Sequence, residues 1–281
     1  MIAVTGSTGH LGRLVIADLI DRVSADQIVA IARTPESAST LGVTVREGDY
    51  DRPETLAPAL EGVDRLLLIS ASEVGKRFPQ HKAVVDAAKD SGVGLIVYTS
   101  VLHAGTSALG LAEEHRQTEA YLAESGVPHA VLRNGWYTEN YTGSIGAAVA
   151  HGVVLGSAGD AQVTPAPRAD FAAAAATVLT ADDPAGEVYE LAGDEAFTME
   201  EYAAEVARQS GKEVVYRDMP EADYRAALEG VGLPGPVAAM IAQSDAAAAE
   251  GALYDESHTL SRLIGRPTTL LAQTVAAALG D

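Results

Sequence analysis

The sequence predicts an α/β fold of the Rossmann type: a doubly wound parallel sheet with a smaller, mainly helical C-terminal substrate domain. Short β-rich runs alternate with helix-like stretches through the first half of the chain. A glycine-rich turn joins the first run to the first helical stretch, and proline-containing breakers separate the later units. Alternation at this spacing is typical of a parallel sheet with helices on both faces, because consecutive parallel strands need crossover connections.

The first half supplies six predicted strands and four predicted helices. The strands are expected at residues 2–5, 28–32, 43–46, 65–70, 95–99 and 130–132. The helices are expected at residues 10–22, 53–60, 80–91 and 112–125. Breakers fall between these units at Thr34-Pro35, Arg52-Pro53 and residues 126–128, which supports the division.

The rhythm loosens after Asn134. Residues 169–179 contain a five-alanine run, which predicts a helix pressed closely on another surface, and residues 187–191 predict one more strand. From Thr198 onward the pattern is mostly helical, with acidic residues in the expected first turn. We therefore expect residues 1–134 to form a dinucleotide-binding domain to which residues 161–192 return. Residues 135–160 and 193–281 would form the smaller substrate-binding cap.

Composition and charge exclude several classes of function. The 281 residues carry 19 Lys plus Arg against 39 Asp plus Glu, a formal net charge of −20, which disfavours nucleic acid and anionic membranes as partners. The chain has no cysteine, which excludes disulfides, thiolate nucleophiles and Cys-ligated metals. No apolar run approaches the roughly 20 residues that a membrane helix needs. These features predict a soluble, cytoplasmic protein.

The glycine-rich turn predicts a dinucleotide site. Its residues follow the first strand and open the first helix: Gly6, Ser7, Thr8, Gly9, His10, Leu11 and Gly12. Glycines allow the unusual dihedral angles of such a turn and let the backbone approach a pyrophosphate. The helix N-terminus then offers unpaired N–H groups to the phosphates. A GxxGxxG match is weak alone, but here it occupies the first βα unit, as the motif requires.

Arg33 favours NADPH over NADH. An NAD site usually has Asp or Glu at the end of the second strand, where the carboxylate accepts from the ribose 2′-hydroxyl. This chain has Arg33 there and no carboxylate, and an arginine suits a 2′-phosphate. A solvated surface arginine, or one stacked on adenine without discriminating, is the alternative, so NADH stays possible.

Two further strand ends contribute expected cofactor contacts. Asp49 and Tyr50 follow the third strand and fit the adenine region. Ser70, Ala71 and Ser72 follow the fourth and fit the ribose on the nicotinamide side. Ligands of such sheets bind at the carboxyl ends of the strands. Ordinary polar loops are the alternative for both segments.

Together with the glycine loop, longer strings give the chain a family resemblance. It resembles the NmrA-like group of atypical short-chain dehydrogenases, and within it the bacterial NADPH-dependent quinone oxidoreductases of type 2. The strings that carry the resemblance nearly end to end include residues 6–12, 28–33, 66–70, 72–75, 98–100, 102–104, 133–137, 139–141, 189–193 and 263–265. The resemblance implies a Rossmann domain, a small C-terminal substrate domain, and hydride transfer to a quinone in the cleft between them.

The expected proton-relay positions depart from those of ordinary short-chain dehydrogenases, which use Ser with a Tyr and Lys spaced YxxxK. Ser100 stands where the serine would be, but His115 replaces the tyrosine and Glu119 the lysine on one helix face. His115 could donate a proton, since imidazole titrates near neutrality, or could be a polar helix residue. Glu119 is expected to be structural or solvated. Ser100 and His115 are thus the candidate catalytic residues.

Loss of the Tyr/Lys pair fits quinone chemistry. A reduced ketone leaves a strongly basic alkoxide, whereas a reduced quinone leaves a stable phenolate-type anion, so positioning of the ring matters most. The departure counts against a secondary-alcohol dehydrogenase. It fits equally a non-catalytic, NmrA-like NADP(H) redox sensor, and a reductase of another aromatic or polyketide-type substrate is also compatible.

The segment after the sixth predicted strand carries the expected contacts for the reacting rings. Asn134, Gly135, Trp136 and Tyr137 are expected at the cofactor, and Trp136, Tyr137 and Tyr141 at the substrate. Packing between the two domains is the alternative for these aromatics. The histidines lack the clustered spacing that a metal site needs, and no feature suggests a flavin. A homodimer is possible.

Overall fold

The chain folds into two compact units in the computed structural model, which describes residues 1–280. The first unit comprises residues 1–104, 113–134 and 168–190. The second comprises residues 105–112, 135–167 and 191 onward. Each unit is therefore assembled from segments that are separated in the sequence.

The first unit is built on a seven-stranded sheet. Its strands are β1 (Ile2–Val4), β2 (Ile28–Ala32), β3 (Thr44–Glu47), β4 (Arg65–Leu68), β5 (Leu95–Val101), β6 (His129–Asn134) and β8 (Val188–Leu191). Their order is β3-β2-β1-β4-β5-β6-β8, and the pairs from β3 to β6 are parallel. Every residue of β2 and β5 is buried, as expected when helices cover both faces of a parallel sheet.

Helices cover the sheet of the first unit. They are α1 (His10–Ile20), α2 (Leu56–Ala59), α3 (Arg77–Asp90), α4 (Ala112–Ser125) and α7 (Arg168–Thr180). The alanine-rich α7 packs against α1, because small side chains let the two backbones approach. The predicted α/β class and sheet are thus confirmed. The helix expected at residues 53–60 is a short 3₁₀ turn, Pro53–Thr55, followed by the four-residue α2.

The second unit is mainly helical. It contains α5 (Glu139–Thr142), α6 (Ile145–His151), α8 (Met199–Ser210), α9 (Glu221–Gly230), α10 (Gly235–Ala248), α11 (Thr259–Ile264) and α12 (Leu271–Gly280). The acidic start expected at Thr198 is a capping box, in which the Thr198 side chain and the Glu201 carboxylate cap each other's backbone N–H. The helical character of the C-terminal region is confirmed.

A small sheet in the second unit was not expected from the sequence. The strands β7 (Val153–Gly156) and β9 (Val215–Asp218) pair in parallel, from Val153 with Val215 to Gly156 with Asp218. Each strand has only four residues, and the paired residues lie about sixty positions apart in the sequence. No local pattern therefore predicts the pairing. The strand β9 is thus an addition to the mostly helical segment that the sequence predicts after Thr198.

Neither a membrane-spanning helix nor a metal-binding cluster occurs in the described part of the chain. Within residues 1–280 no helix has the length and apolar character to span a bilayer. The same residues contain no group of three or more His, Asp or Glu side chains arranged to hold a metal ion.

Candidate functional site

The glycine loop is folded tightly onto the start of α1. Gly6 has a positive φ of 57°, and its carbonyl accepts from the Gly9 N–H at 2.9 Å. A Cβ on Gly12 would stand 2.4 Å from the Gly6 oxygen and 2.8 Å from the Ser7 Cα, so only glycine fits there. Gly9 caps α1 without any side-chain hydrogen bond, which leaves the first N–H groups of this helix open to an anion.

A cavity of about 260 Å³ opens beside this loop, and its lining comes from the first unit alone. Nine residues expected at the cofactor line it: Gly6, Thr8, Gly9, Arg33, Asp49, Tyr50, Ser70, Ala71 and Ser72. Sequence reasoning missed seven others: Ile31, Ala32, Gly48, Asp51, Ile69, Glu73 and Gln80. Most of these adjoin residues that were expected, at the same strand ends. Gln80 comes from α3 and had no signal in the sequence.

Four residues of the loop motif do not line the cavity. Ser7 and Leu11 are buried, and the Ser7 hydroxyl donates to the Ile31 carbonyl at 2.9 Å. Gly12 packs against the loop, and His10 is exposed. These four residues belong to the turn and to the start of α1, whereas Gly6, Thr8 and Gly9 line the cavity.

Arg33 is an exposed cation at the cavity. It directly follows β2, and its guanidinium has no hydrogen-bond or ion-pair partner within residues 1–280. An unpaired guanidinium beside a glycine loop can bind a phosphate through two parallel hydrogen bonds. The glycine cradle, the open helix N-terminus and this cation together fit a dinucleotide that carries an additional phosphate.

Tyr50 joins two strand ends at the cavity wall. Its hydroxyl donates to the Thr5 hydroxyl at 2.5 Å and lies 2.9 Å from the Ile69 carbonyl. Burial raises the pKa of Tyr50 above its usual value, so the phenol stays neutral. Asp49, its neighbour, pairs with Arg52 at 3.3 Å. Both polar groups are thus used by the protein itself.

The segment from Ser70 to Ser72 is held in place by buried groups. The Ser70 N–H donates to the Thr99 hydroxyl at 2.8 Å, and the Ala71 N–H donates to His81 Nε2 at 2.9 Å. Burial, and then the charge of Arg77, lowers the pKa of His81 to about 3, so its ring is neutral. Arg77 Nε donates to the Ala71 carbonyl at 2.7 Å. The backbone of Ala71 is therefore fixed on both sides.

Ser100 belongs to an ionic network, and its expected catalytic role stays a prediction. Its hydroxyl donates to Glu119 Oε1 at 2.5 Å. Arg133 binds Glu119 with two nitrogens, at 3.0 and 2.6 Å, and Glu190 with a third at 2.8 Å. The hydrogen bonds to Glu119 raise the pKa of Arg133. Glu119, at the position of the usual lysine, is thus a carboxylate bound by Arg133. This pairing agrees with the structural role expected of Glu119.

His115 is buried, and its Nδ1 lies 2.7 Å from the Tyr98 hydroxyl. Burial is the main cause that lowers its pKa to about 3, and the charge of Arg77 adds to it. The ring is therefore neutral between pH 6 and 8 and holds no imidazolium proton to donate. A catalytic role for His115 stays an untested prediction, and this geometry supports the alternative of a helix residue packed in the first unit.

The segment after β6 is held mainly through its backbone. Asn134 ends the strand and is buried, with no hydrogen-bond partner for its side-chain oxygen within residues 1–280. A Cβ on Gly135 would stand 2.9 Å from the Leu191 carbonyl, so this glycine serves close packing of the backbone. The Ala166 N–H donates to the Trp136 carbonyl at 3.2 Å, and Tyr137 forms a parallel β-bridge with Ala166. Tyr141 packs with Tyr202, their ring centroids 5.9 Å apart.

Comparisons with known proteins identify the family of this chain. A family model described as NAD(P)H-binding matches residues 6–182. Quinone oxidoreductase 2 of Escherichia coli (strain K12) is 55% identical over 279 residues, which cover 98% of each chain. The crystal structure of an NADPH-dependent quinone oxidoreductase from Escherichia coli, complexed with NADPH, has a TM-score of 0.97 at 55% identity and covers 99% of this chain and 100% of that one.

A second solved structure extends the relationship. Citrobacter sp. triphenylmethane reductase, complexed with NADP(H), has a TM-score of 0.95 at 38% identity and covers 99% of this chain and 100% of that chain. The similarity in each case runs over both units. The chain therefore belongs to the NAD(P)H-binding, NmrA-like family that its sequence motifs resemble.

Proposed function

We propose that this chain is an NADPH-dependent oxidoreductase that passes hydride directly to a quinone, without a flavin or a metal. The observation that carries the proposal is full-length similarity, at 55% identity, to a quinone oxidoreductase of Escherichia coli. The glycine cradle and the unpaired Arg33 support NADPH as the reductant.

The chain's own residues would bind and orient the cofactor. Gly6, Gly9 and the N-terminus of α1 hold the pyrophosphate, and Arg33 holds the 2′-phosphate. The segment of residues 70–72, anchored through Ala71, would contact the ribose on the nicotinamide side. When bound, the reduced nicotinamide supplies a hydride. The protein then contributes mainly by holding donor and acceptor in place.

The site at Ser100 and His115 supports a quinone rather than an alcohol or ketone. Glu119 is paired with Arg133 and is not the cation that the lysine would be, and His115 is buried with its Nδ1 2.7 Å from the Tyr98 hydroxyl, which favours a packed helix residue over a proton donor. A ketone would need such a donor, because its alkoxide is strongly basic. A quinone does not, because its reduced anion is a stabilised phenolate.

Steady-state oxidation of NADPH with 1,4-benzoquinone tests the function. We expect turnover far above the uncatalysed reaction, with saturation in both substrates. Tight NADPH binding without turnover of any acceptor would contradict the proposal and favour the sensor. A heat-unfolded sample of the same preparation is the control for the direct chemical reaction.

A dye reductase is the second candidate, because a triphenylmethane reductase is 38% identical over nearly the whole chain. Decolorisation of crystal violet by NADPH, measured beside benzoquinone reduction, decides between them. The acceptor with the larger kcat/KM belongs to the better assignment. The homodimer and the cytoplasmic location stay predictions, to be measured by ultracentrifugation and by fractionation of cells that express the protein.

A further inference from the structure

The side-chain amide of Gln80 has one satisfied end and one unsatisfied end. Gln80 lies on α3, lines the cavity beside the glycine loop and is only 6% exposed. Its Nε2 donates to Asp51 Oδ1 at 2.9 Å, whereas its Oε1 is buried and has no hydrogen-bond partner within residues 1–280. A buried acceptor without a donor destabilises a folded protein, so its presence at the wall of a ligand cavity needs a reason.

Asp51 determines which end of the amide is unsatisfied. A carboxylate accepts hydrogen bonds and cannot donate them, so the end of the Gln80 amide that faces Asp51 must be the NH₂ group. The carbonyl oxygen is therefore the other end. The Asp51 N–H donates to Asp49 Oδ1 at 3.1 Å, which links the pair to the segment that follows β3. The orientation of the Gln80 amide thus follows from the chemistry of its partner.

Gln80 and Arg33 belong to the same side of the cavity. Arg33 directly follows Ala32, whose carbonyl accepts from the Gly48 N–H at 3.0 Å. Asp51 is three residues beyond Gly48 and binds Gln80. All of these residues line the cavity. A short series of contacts within the first unit therefore connects the end of β2 to the unsatisfied oxygen of Gln80.

The adenine of a bound NADPH would lie on this side of the cavity. The 2′-phosphate that Arg33 would bind is attached to the ribose that carries the adenine, and Ile31 and Ile69 offer apolar surface to a flat base. Two hydrogen-bond donors belong to this half of the cofactor, the 3′-hydroxyl and the adenine 6-amino group. The amino group is on the edge of the base opposite the ribose, so it is the donor that extends beyond Arg33 toward the cavity wall.

We propose that Gln80 is a specificity-determining residue for the cofactor, and that its Oε1 accepts a hydrogen bond from the adenine 6-amino group while Asp51 holds the amide in place. The inference deepens the proposed function and rests on it for NADPH as the cofactor, but not for the hydride acceptor. A 6-oxopurine carries an oxygen at this position, so two acceptors would face each other and stay unsatisfied. A site built around such a hydrogen bond rejects an analogue that lacks the donor.

Deamino-NADPH, in which hypoxanthine replaces adenine, is the probe. In titration calorimetry we expect wild type to bind it at least about tenfold more weakly than NADPH, a difference of about 1.4 kcal/mol. In Gln80→Leu the two Kd values should agree within about twofold, because the substitution removes both the attraction to the amino group and the repulsion of the oxygen. Equal Kd values in wild type, as when a water or the 3′-hydroxyl meets Oε1, would overturn the inference. An unchanged preference in Gln80→Leu would do the same.

Gln117→Leu is the matched control, because it makes the same change in the same unit but outside the cavity. Gln117 is exposed on α4, and its Nε2 donates to Glu113 at 3.1 Å. This variant should keep the wild-type preference for NADPH over deamino-NADPH. A preference that disappears in Gln117→Leu as well would contradict the assignment to Gln80.

Asp51→Ala tests the orientation of the amide without a change inside the protein, because Asp51 is exposed. Without the carboxylate the Gln80 amide can turn and present its NH₂ group to the base, so the preference for NADPH should shrink at least about threefold. An unchanged preference would overturn the role of Asp51.

These measurements need no turnover. Failure of wild type to bind NADPH would refute the proposed function, whereas NADPH binding without a preference over deamino-NADPH would refute only the role of Gln80.

Discussion

The glycine loop of the first unit and the carboxyl of Asp245 in the second are positioned by different physical means. The loop uses backbone N–H groups, a helix N-terminus and the absence of Cβ atoms, all supplied by neighbouring residues in sequence. The carboxyl of Asp245 is positioned by residues far from it in sequence: its Oδ2 accepts from the Ser157 N–H at 3.1 Å, and a Cβ on Gly156 would stand 2.8 Å from that oxygen. A site formed by backbone groups depends on residues that are neighbours in sequence, whereas a site formed by side chains depends on segments that only the fold brings together. The first kind can therefore be predicted from one sequence, and the second cannot.

The largest expected effect breaks the backbone site. In Gly12→Ala the new Cβ would meet the Gly6 oxygen at 2.4 Å and the Ser7 Cα at 2.8 Å, and neither is a flexible side chain. The loop must shift, so we expect the Kd for NADPH to rise about 100-fold, or about 3 kcal/mol. Titration calorimetry measures it. Gly146→Ala is the control, since open space surrounds that position and binding should not change.

The next effect concerns the stability of the side-chain site. Because the pKa of Asp245 is raised to about 6, the folded protein binds its proton more tightly than the unfolded chain does. This contribution to the free energy of unfolding is present below about pH 4 and is lost as the pH rises to about 6, by up to about 3 kcal/mol.

Denaturant unfolding of wild type and Asp245→Asn at pH 4 to 8 measures this contribution. The difference between the two proteins should change across the range, with the variant gaining relative stability above pH 6. A constant difference would show that Asp245 has an ordinary pKa. Taking the difference cancels the titration of the other carboxyls of this acidic chain.

A smaller effect tests the cation beside the loop. Removing a guanidinium that binds a phosphate costs about 1.5–3 kcal/mol, so Arg33→Ala should raise the Kd for NADPH ten- to 100-fold. The Kd for NADH should stay within twofold. Arg225→Ala, which removes an exposed arginine paired with Glu229, is the control. If wild type binds both cofactors equally, and the substitution changes neither, Arg33 does not select NADPH.

The smallest effect is expected at His115, which does not line the cavity beside the glycine loop. Its ring is neutral above about pH 3, so His115→Ala should keep kcat within twofold of wild type from pH 6 to 8. Its melting temperature should fall, because the contact with Tyr98 and buried volume are lost. A kcat that drops and loses its pH dependence would restore His115 as the proton donor.

Much of the fold could be predicted because its signals are local. The seven strands of the first unit and the helices between them follow from alternating apolar runs and breakers, each within about fifteen residues. The small sheet of β7 and β9 could not be predicted, because its short strands gain their stability from pairing with a distant partner. The length of helix α2 was overestimated, because Pro53 favours a tight 3₁₀ turn at the start of the segment.

The candidate site divides in the same way. The glycine loop, Arg33, Asp49, Tyr50 and residues 70–72 could be placed because strand ends of a parallel sheet share one edge. The sequence does not show which polar groups at this edge already form hydrogen bonds or ion pairs within the protein. Only the fold showed that Tyr50 donates to Thr5, that Glu119 is held by Arg133, and that His115 is buried against Tyr98.

The sequence by itself determined the α/β class, the glycine cradle and the presence of Arg33 at the end of the second strand, because each depends on residues close together in the chain. The tertiary structure alone decided which side chains form hydrogen bonds or ion pairs within the protein and which do not. Burial and hydrogen bonding are properties of assembled segments, so the contact of His115 with Tyr98 and the hydrogen bond from Ser157 to Asp245 exist only in the folded chain.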